Sequence, residues 1–164
     1  MKKYKVGIVP GSFDPITVGH VDIVRRAAEL CDKVFLAVMI NSEKKYTFDI
    51  SARESIARAA VAGIENAVVI SSEGMLYELA RALSADAIVK GVRNDVDRAY
   101  EEKMAEFNAE HYPAAVTVLL DADPALADIS STAVRALIAD GKSLDGVVPE
   151  GAIDEIKKIM NFKF

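Results

Sequence analysis

Residues 11–20, Gly-Ser-Phe-Asp-Pro-Ile-Thr-Val-Gly-His, concentrate the residue types that could bind a phosphate. They lie between an apolar run at positions 6–9 and an apolar-periodic segment that begins near Val21, an order that predicts a strand, a tight loop and a helix. Such a loop offers free backbone N–H groups beside the positive end of the helix, which suits an anion. His20, where the helix begins, adds a donor that can reach a phosphoryl oxygen. Because a plain turn between a strand and a helix uses several of these residue types without a ligand, the loop alone leaves both interpretations open.

A second group of hydroxyl and basic side chains lies in Ile-Ser-Ser-Thr-Ala-Val-Arg, residues 129–135. Ser130 and Ser131 are typical of the cap and first turn of a helix, and Gly141 is a plausible stop for it. Capping alone would need only one of the two hydroxyl groups. The helix amides, the hydroxyls and Arg135 one turn later could instead form a second anion site. A triphosphate spread across the edge of a sheet needs two such sites, one for each end.

The sequence offers no arrangement for covalent catalysis and no cluster of metal ligands. His20 and His111 are its only histidines and lie far apart, and Cys31 has no histidine beside it. This favours direct in-line displacement at a phosphorus, which asks the protein for positioning and for charge stabilisation on the equatorial oxygens. Donors such as His20, Lys44 and Arg93 could supply that stabilisation.

Alternating strand and helix patterns predict the framework that positions these residues. The run at 33–40 is nearly continuous and apolar, as in a parallel strand buried on both faces, and shorter runs lie at 68–70, 87–89 and 116–120. Helical faces lie between them: Ile23, Val24, Ala27 and Leu30; Ile56, Ala59 and Ala60 after a cap at Ser51; Leu76, Leu79, Ala80 and Leu83; Tyr100, Met104 and Phe107. We expect one α/β domain over residues 1–164, Rossmann-like, with a five-stranded parallel sheet and helices on both faces.

In such a sheet the ligand lies beyond the carboxyl ends of the strands. Basic and small residues follow the predicted strands there: Lys44 and Lys45 after the second, Leu76 after the third, and residues 90–93 after the fourth. A single surface lysine usually serves solubility, so their shared placement at one rim is what supports a binding role.

Composition excludes several classes of protein. The 164 residues are 51% hydrophobic and 27% charged, which is neither disordered nor fibrous. A net charge of -5 argues against general affinity for nucleic acid or anionic membranes. Cys31 is the only cysteine, cannot form an internal disulfide, and is expected to be a buried apolar residue. The first apolar run stops at Pro10, too short for a secretory signal, and no later run could span a bilayer, so we expect a cytoplasmic protein.

The two motifs resemble the signatures of the HxGH nucleotidylyltransferase superfamily, whose first motif position, here Thr17, is often threonine. The longer string Ser-Phe-Asp-Pro-Ile-Thr-x-Gly-His resembles bacterial phosphopantetheine adenylyltransferases in particular, and the similarity runs from Val6 to about Ile156. This resemblance implies transfer of the adenylyl group of ATP to 4′-phosphopantetheine, giving dephospho-coenzyme A and pyrophosphate. It also implies Mg²⁺ as cofactor, a homohexamer, and coenzyme A as a feedback ligand.

The resemblance further implies roles for individual residues. His20 would stabilise the transition state at the α-phosphate. The implied ATP contacts are Ser12, Phe13, His20, Gly91, Val92, Arg93, Glu101, Leu126, Ala127, Asp128, Ile129, Ser130, Ser131, Thr132 and Arg135. The implied phosphopantetheine contacts are Ser12, Lys44, Leu76 and Lys90, and no residue is implied as a metal ligand. The chain departs from the family at Lys90, where arginine is usual, and at Leu126, where some members carry tryptophan.

Two alternatives stay open at this point. One is a sister transferase, such as a glycerol-phosphate cytidylyltransferase or a nicotinamide-mononucleotide adenylyltransferase. Thr17 and the sequence Asp-Ile-Ser-Ser-Thr at 128–132 differ from the motifs usual in the cytidylyltransferases. The other is a non-catalytic nucleotide-binding protein, because a fold alone does not establish an activity.

Overall fold

Strands and helices alternate along the chain in the computed structural model, which describes residues 2–161. The strands are β1 (Tyr4–Gly11), β2 (Cys31–Ile40), β3 (Ala67–Glu73), β4 (Ala87–Val92) and β5 (Val116–Asp121). The helices are α1 (Val18–Leu30), α2 (Ile50–Val61), α3 (Leu76–Leu83), α4 (Asp95–His111), α5 (Ser131–Ala139) and α6 (Glu150–Asn161).

The five strands form one parallel sheet in the order β3-β2-β1-β4-β5. β1 lies at the centre, where Gly7 is in register with Val34 of β2 and with Ala87 of β4. The chain leaves β1 toward one edge and returns to its other side at β4, so the strand order reverses between β1 and β4. Ligands of open parallel sheets bind at the carboxyl side of such a reversal. The predicted Rossmann-like, five-stranded parallel sheet is confirmed.

Helices cover both faces of the sheet, as predicted, and each face buries its own core. On one face, side chains of α1, α2, α5 and α6, such as Val24, Ile56 and Val134, pack against alternate strand residues such as Leu36. On the other face, Ile8 and Ile88 pack with residues of α3, and α4 lies against β4 and β5. Each fully buried Ile or Val side chain stabilises the fold by about 1.5–3 kcal/mol.

The structure corrects three local expectations. The cap of α2 is Asp49, whose carboxylate accepts from the Ala52 N–H at 2.8 Å, so the predicted cap at Ser51 is wrong. β4 continues to Val92, so residues 90–92 lie within the strand rather than after it. Helix α6, which packs against α2, was not predicted. Within residues 2–161, no helix has both the length and the apolar character needed to cross a membrane.

Candidate active site

A cleft of about 470 Å³ opens at the carboxyl ends of β1 and β4, where the strand order reverses. It is lined by eleven of the residues that the sequence suggested for ligand binding: Phe13, His20, Lys90, Gly91, Arg93, Glu101, Leu126, Ile129, Ser130, Ser131 and Thr132. The fold therefore brings the two distant sequence motifs to one place.

His20 is fixed at the start of α1 by a capping box. The hydroxyl of Thr17 accepts from the His20 backbone N–H at 3.3 Å, and His20 Nδ1 accepts from the Thr17 backbone N–H at 3.0 Å. Because Nδ1 accepts this bond, the neutral ring carries its proton on Nε2. The Phe13 ring packs edge-on against the imidazole, with 5.1 Å between the ring centroids. The cap, the ring contact and the tautomer together present His20 to the cleft as a hydrogen-bond donor.

Partial burial keeps the His20 side chain neutral. Desolvation, with a smaller contribution from the positive charge of Arg93, lowers the pKa of His20 from 6.5 to about 4. A neutral imidazole with Nε2–H donates a hydrogen bond to an oxygen that is gaining negative charge without adding a full charge of its own to the site.

The second motif docks directly onto the first. Ser131 Oγ donates to the carbonyl of Pro15 at 2.8 Å, and Arg135 Nη1 donates to the carbonyl of Asp14 at 3.0 Å. Ser130 caps α5 through the Ala133 N–H at 3.1 Å, which confirms its predicted role as a helix cap. The amino ends of α1 and α5 therefore lie side by side at the cleft, with two sets of helix amides facing one region.

Arg135 itself lies beside the cleft rather than in its lining. Its Nη2 donates to Thr132 Oγ1 at 3.0 Å, so the guanidinium links the first turn of α5 to the loop between β1 and α1. Ala127 and Asp128 belong to the segment between Leu126 and Ile129, both of which line the cleft. Val92 is buried to 2% exposure, so its side chain faces the protein interior.

Lys44 approaches the same loop from the other side. Its Nζ lies 3.5 Å from the hydroxyl of Ser12, at the carboxyl ends of β1 and β2. Lys44 and Ser12 lie outside the lining of the main cleft, and Lys44 is exposed. The pair offers one ammonium and one hydroxyl group to an anion at this rim.

A smaller cleft of about 110 Å³ lies between the sheet and the helices α3 and α4. Its lining comprises Met75, Leu76, Ile88, Lys90, Tyr100, Glu101, Met104, Ala105, Asn108 and Thr117. Lys90, Tyr100 and Glu101 line both clefts, so they form the wall between them. Lys90 Nζ lies 2.9 Å from the Glu101 carboxylate, whose side chain is only 9% exposed. This partly buried ion pair joins a residue suggested for phosphopantetheine to one suggested for ATP.

Two further features shape the main cleft. A Cβ on Gly91 would lie 2.9 Å from Cγ1 of Ile23, so glycine there allows α1 to pack closely on β4. Arg93 donates from Nε to the carboxylate of Asp97 at 3.1 Å, an exposed pair at the mouth of the cleft. Sequence reasoning did not single out Asp97.

No group of three or more His, Cys, Asp or Glu side chains that could hold a metal ion occurs in the part of the chain that the structure describes. The carboxylates that line the main cleft are Asp97 and Glu101, and each is paired with a cation. Magnesium often binds through substrate phosphates and only one or two carboxylates. A magnesium ion at this cleft would therefore depend on phosphates of a bound substrate and on at most these two carboxylates.

Comparisons with known proteins agree with this geometry. A model of the cytidylyltransferase-like family matches residues 8–137. The chain is 41% identical over 155 residues to the phosphopantetheine adenylyltransferase of Streptococcus gordonii, an alignment that covers 94% of each chain. The chain belongs to the phosphopantetheine adenylyltransferases.

Two further members of this family show similar agreement. The phosphopantetheine adenylyltransferase of Streptococcus sanguinis is 39% identical over 160 residues, covering 97% of this chain and 98% of that protein. That of Clostridium perfringens is 38% identical over 154 residues, covering 94% of each. The resemblance inferred from the two motifs is confirmed.

The capping box that orients His20 could have been found from the sequence and was not. Thr17 and His20 are three positions apart, the spacing of a capping box, with histidine in place of the usual Glu or Gln. That spacing was a usable signal for the tautomer of His20. Asp97 and Tyr100 carried no such signal, because their place in the cleft depends on how α4 packs against β4.

Proposed function

We propose that this enzyme transfers the adenylyl group of ATP to 4′-phosphopantetheine, giving dephospho-coenzyme A and pyrophosphate, as a step of coenzyme A biosynthesis. Membership of the phosphopantetheine adenylyltransferases supports this reaction. The observation that carries the proposal is the pair of adjoining clefts, one beside two helix amino ends and one largely apolar, with His20 at the first. Two substrates must meet in this reaction, and the two clefts share a wall formed by Lys90, Tyr100 and Glu101.

The main cleft is the proposed ATP site. Its two helix amino ends and Arg93 suit the triphosphate, because backbone amides and guanidinium groups form charge-assisted hydrogen bonds to phosphate oxygens. The residues proposed to contact ATP are Ser12, Phe13, His20, Gly91, Val92, Arg93, Glu101, Leu126, Ala127, Asp128, Ile129, Ser130, Ser131, Thr132 and Arg135. Val92 is buried, so any contact it makes uses its backbone.

The smaller cleft is the proposed site for the pantetheine arm. Leu76 and Met104 supply apolar surface, and Asn108 adds an amide group that suits the two amides of the arm. Lys90, on the wall shared with the ATP site, is placed to meet the terminal phosphate. Ser12 and Lys44 supply a hydroxyl and an ammonium group at the adjoining rim.

The chemical step proposed is an in-line displacement. A phosphate oxygen of 4′-phosphopantetheine attacks the α-phosphorus of ATP, a new P–O bond forms, and the bond to the β-phosphate oxygen breaks to release pyrophosphate. His20 donates from Nε2 to a non-bridging α-phosphate oxygen as negative charge builds on it. Since removal of one such donor typically lowers the rate by about 10²–10³-fold, His20 is the residue whose loss should be most costly.

Magnesium is the proposed cofactor and would be brought by ATP. When bound, it supplies positive charge across the phosphates. Asp97, the more exposed of the two carboxylates that line the cleft, would be the side chain to help hold it. Resemblance to the family also supports a homohexamer, a cytoplasmic location and coenzyme A as a feedback ligand, which we include in the proposal.

The test is release of pyrophosphate from Mg²⁺-ATP and 4′-phosphopantetheine by the purified chain. Nicotinamide mononucleotide with ATP, and glycerol 3-phosphate with CTP, serve as competing substrate pairs. His20→Ala is the inactive control, and His111→Ala is the matched control because His111 lies outside both clefts. Turnover with ATP and 4′-phosphopantetheine, but with neither of the other two substrate pairs, supports the proposal. Turnover with another pair assigns a sister activity, and ATP binding without turnover assigns a non-catalytic role.

A further inference from the structure

Arg53 is among the largest fully buried side chains of the protein, at 2% exposure, and lies behind the loop that follows β1. It belongs to the first turns of α2, whose cap is Asp49. None of the ion pairs formed among residues 2–161 includes its guanidinium. Burying a charge without a carboxylate partner costs several kcal/mol unless its donors are well satisfied. An apolar side chain would fill this buried space without that cost. The hydrogen bonds that the Arg53 guanidinium makes must therefore have another role.

The donors of Arg53 bind carbonyl groups of three separate segments. Nη1 donates to the Ser12 carbonyl at 2.9 Å and to the Met39 carbonyl at 3.2 Å. Nε donates to the Phe48 carbonyl at 3.2 Å. These segments are the loop after β1, the end of β2 and the loop between β2 and α2. The planar guanidinium can bind all three at once, whereas an ammonium group on a flexible chain lacks this fixed geometry.

The same segment is secured by its neighbours. The Tyr46 ring lies against the guanidinium, 3.7 Å from its carbon to the ring centroid. The Tyr46 hydroxyl accepts from the Asn41 N–H at 3.0 Å, and the Lys44 N–H donates to the Asn41 carbonyl at 3.0 Å. Arg53 thus supports, through Tyr46, the turn that carries Lys44.

The contacts of Asp14 complete the connection between the two loops. Its carboxylate accepts from the N–H groups of Thr47 and Phe48, both at 2.9 Å. Asp14 therefore joins the loops at one point and Arg53 joins them at another, from the Ser12 carbonyl to the Phe48 carbonyl. Hydrogen bonds at two separate points fix both the distance between the loops and their relative angle. Hydrogen bonds at one point would leave the angle free.

We propose that Arg53 is a positioning residue that holds the Ser12 hydroxyl and the Lys44 ammonium in register for the phosphate of the acceptor substrate. It acts through backbone carbonyls and the Tyr46 ring and touches no substrate itself. This inference rests on the proposed function, in which Lys44 is assigned to phosphopantetheine and Ser12 to both phosphopantetheine and ATP. Arg135 and α5, which serve the ATP site, make none of the hydrogen bonds of Arg53. The effect should therefore be larger for the acceptor substrate, which both Ser12 and Lys44 contact, than for ATP, which only Ser12 of this pair contacts.

The first test compares Arg53→Lys and Arg53→Met with Arg58→Met. Arg58 is on the same helix but exposed, is paired with Glu54 and is not among the residues that line the cleft, so its variant is the matched control. We expect Arg53→Lys to unfold cooperatively and to lose about 10–100-fold in kcat/KM for phosphopantetheine, since a small misplacement of binding groups can cost about 100-fold. The KM for ATP should rise less than the KM for phosphopantetheine. Equal losses for both substrates, or activity like that of Arg58→Met, would overturn the proposal.

A double-mutant cycle with Lys44→Ala separates positioning from general loss of stability. If Arg53 acts by placing Lys44 together with Ser12, then Arg53→Lys should lower kcat/KM for phosphopantetheine by a smaller factor in the Lys44→Ala background than in the parent protein. Losses that multiply would show that the two residues act independently, and the proposal would then be wrong.

Amide hydrogen exchange keeps the inference testable apart from the reaction. In Arg53→Lys we expect faster exchange confined to residues 11–14 and 41–48, with the rest of the chain as in Arg58→Met. Protection unchanged in these two loops would contradict a positioning role even if the enzyme is active. Failure of the parent chain to release pyrophosphate from ATP in the presence of 4′-phosphopantetheine would contradict the proposed function instead, while exchange would still decide whether Arg53 holds the loops.

Discussion

Replacing His20 with glutamine should abolish a pH dependence of stability that comes from a single side chain. Glutamine is one of the two usual residues at this position of a capping box, so its side-chain oxygen can still accept from the Thr17 N–H. The substitution therefore keeps the cap of α1 and removes only the group that titrates. Comparison of the parent protein with His20→Gln therefore reports the effect of imidazole titration on stability.

The magnitude follows from the lowered pKa of His20. That pKa is about 4 in the folded protein, against 6.5 for the ordinary side chain, so between these values only the unfolded chain binds the proton. The contribution of His20 to the free energy of unfolding is fully present above pH 6.5. It decreases as the pH falls and reaches a constant lower value below pH 4. Since one pKa unit corresponds to about 1.4 kcal/mol, the loss is about 2 kcal/mol at pH 5 and about 3 kcal/mol below pH 4.

The measurement is the free energy of unfolding in urea for the parent protein and His20→Gln, from about pH 7.5 down to about pH 5. Other titrating groups affect both proteins equally, so the difference between the two curves reports His20 alone. We expect the parent protein to lose about 2 kcal/mol relative to the variant over this range. A constant difference would mean that His20 binds its proton equally well in the folded and unfolded chains, and the argument for a buried neutral donor would fail.

Four further predictions concern the site and the core. Arg135→Ala should raise the KM for ATP more than the KM for phosphopantetheine; the opposite order would mean that the two subsites are assigned in reverse. Lys90→Arg should modestly lower the KM for phosphopantetheine, because a guanidinium can bind the Glu101 carboxylate and a phosphate at the same time. A higher KM would show that the site is adapted to lysine. Gly7→Ala should lower the free energy of unfolding by about 1–3 kcal/mol, because the new Cβ would lie 2.5 Å from Cys31 Sγ. The double variant with Cys31→Ala should regain most of this free energy. If it does not, the strain does not come from the contact with Cys31. Cys31 itself should resist thiol reagents in the folded protein at about pH 8, because burial raises the pKa of its thiol to about 11, and rapid labelling would refute that.

The sequence by itself determined the fold class and the two binding motifs. Alternating apolar runs and helical patterns are local signals, and they suffice because parallel strands joined by helices have few ways to pack. The first motif is a strand, a loop and a helix in immediate succession, so its shape is also local. The buried apolar state predicted for Cys31 is confirmed. Helix α6 was missed, although Ala152, Ile153 and Ile156 share one buried face of it, because no motif drew attention to that segment.

Only the tertiary structure decided which distant groups meet. Arg135 binds the Asp14 carbonyl, a contact that spans most of the chain and leaves no periodic signal in it. The same holds for Lys90 and Glu101, which face each other because α4 folds back over β4. Arg53 is the sharpest case. In the sequence it is an unremarkable helix residue beside a Glu, yet packing buries its charge and turns its donors to three loop carbonyls. Local patterns fix what each segment becomes, but the site depends on side-chain contacts between segments, and those exist only after the sheet has formed.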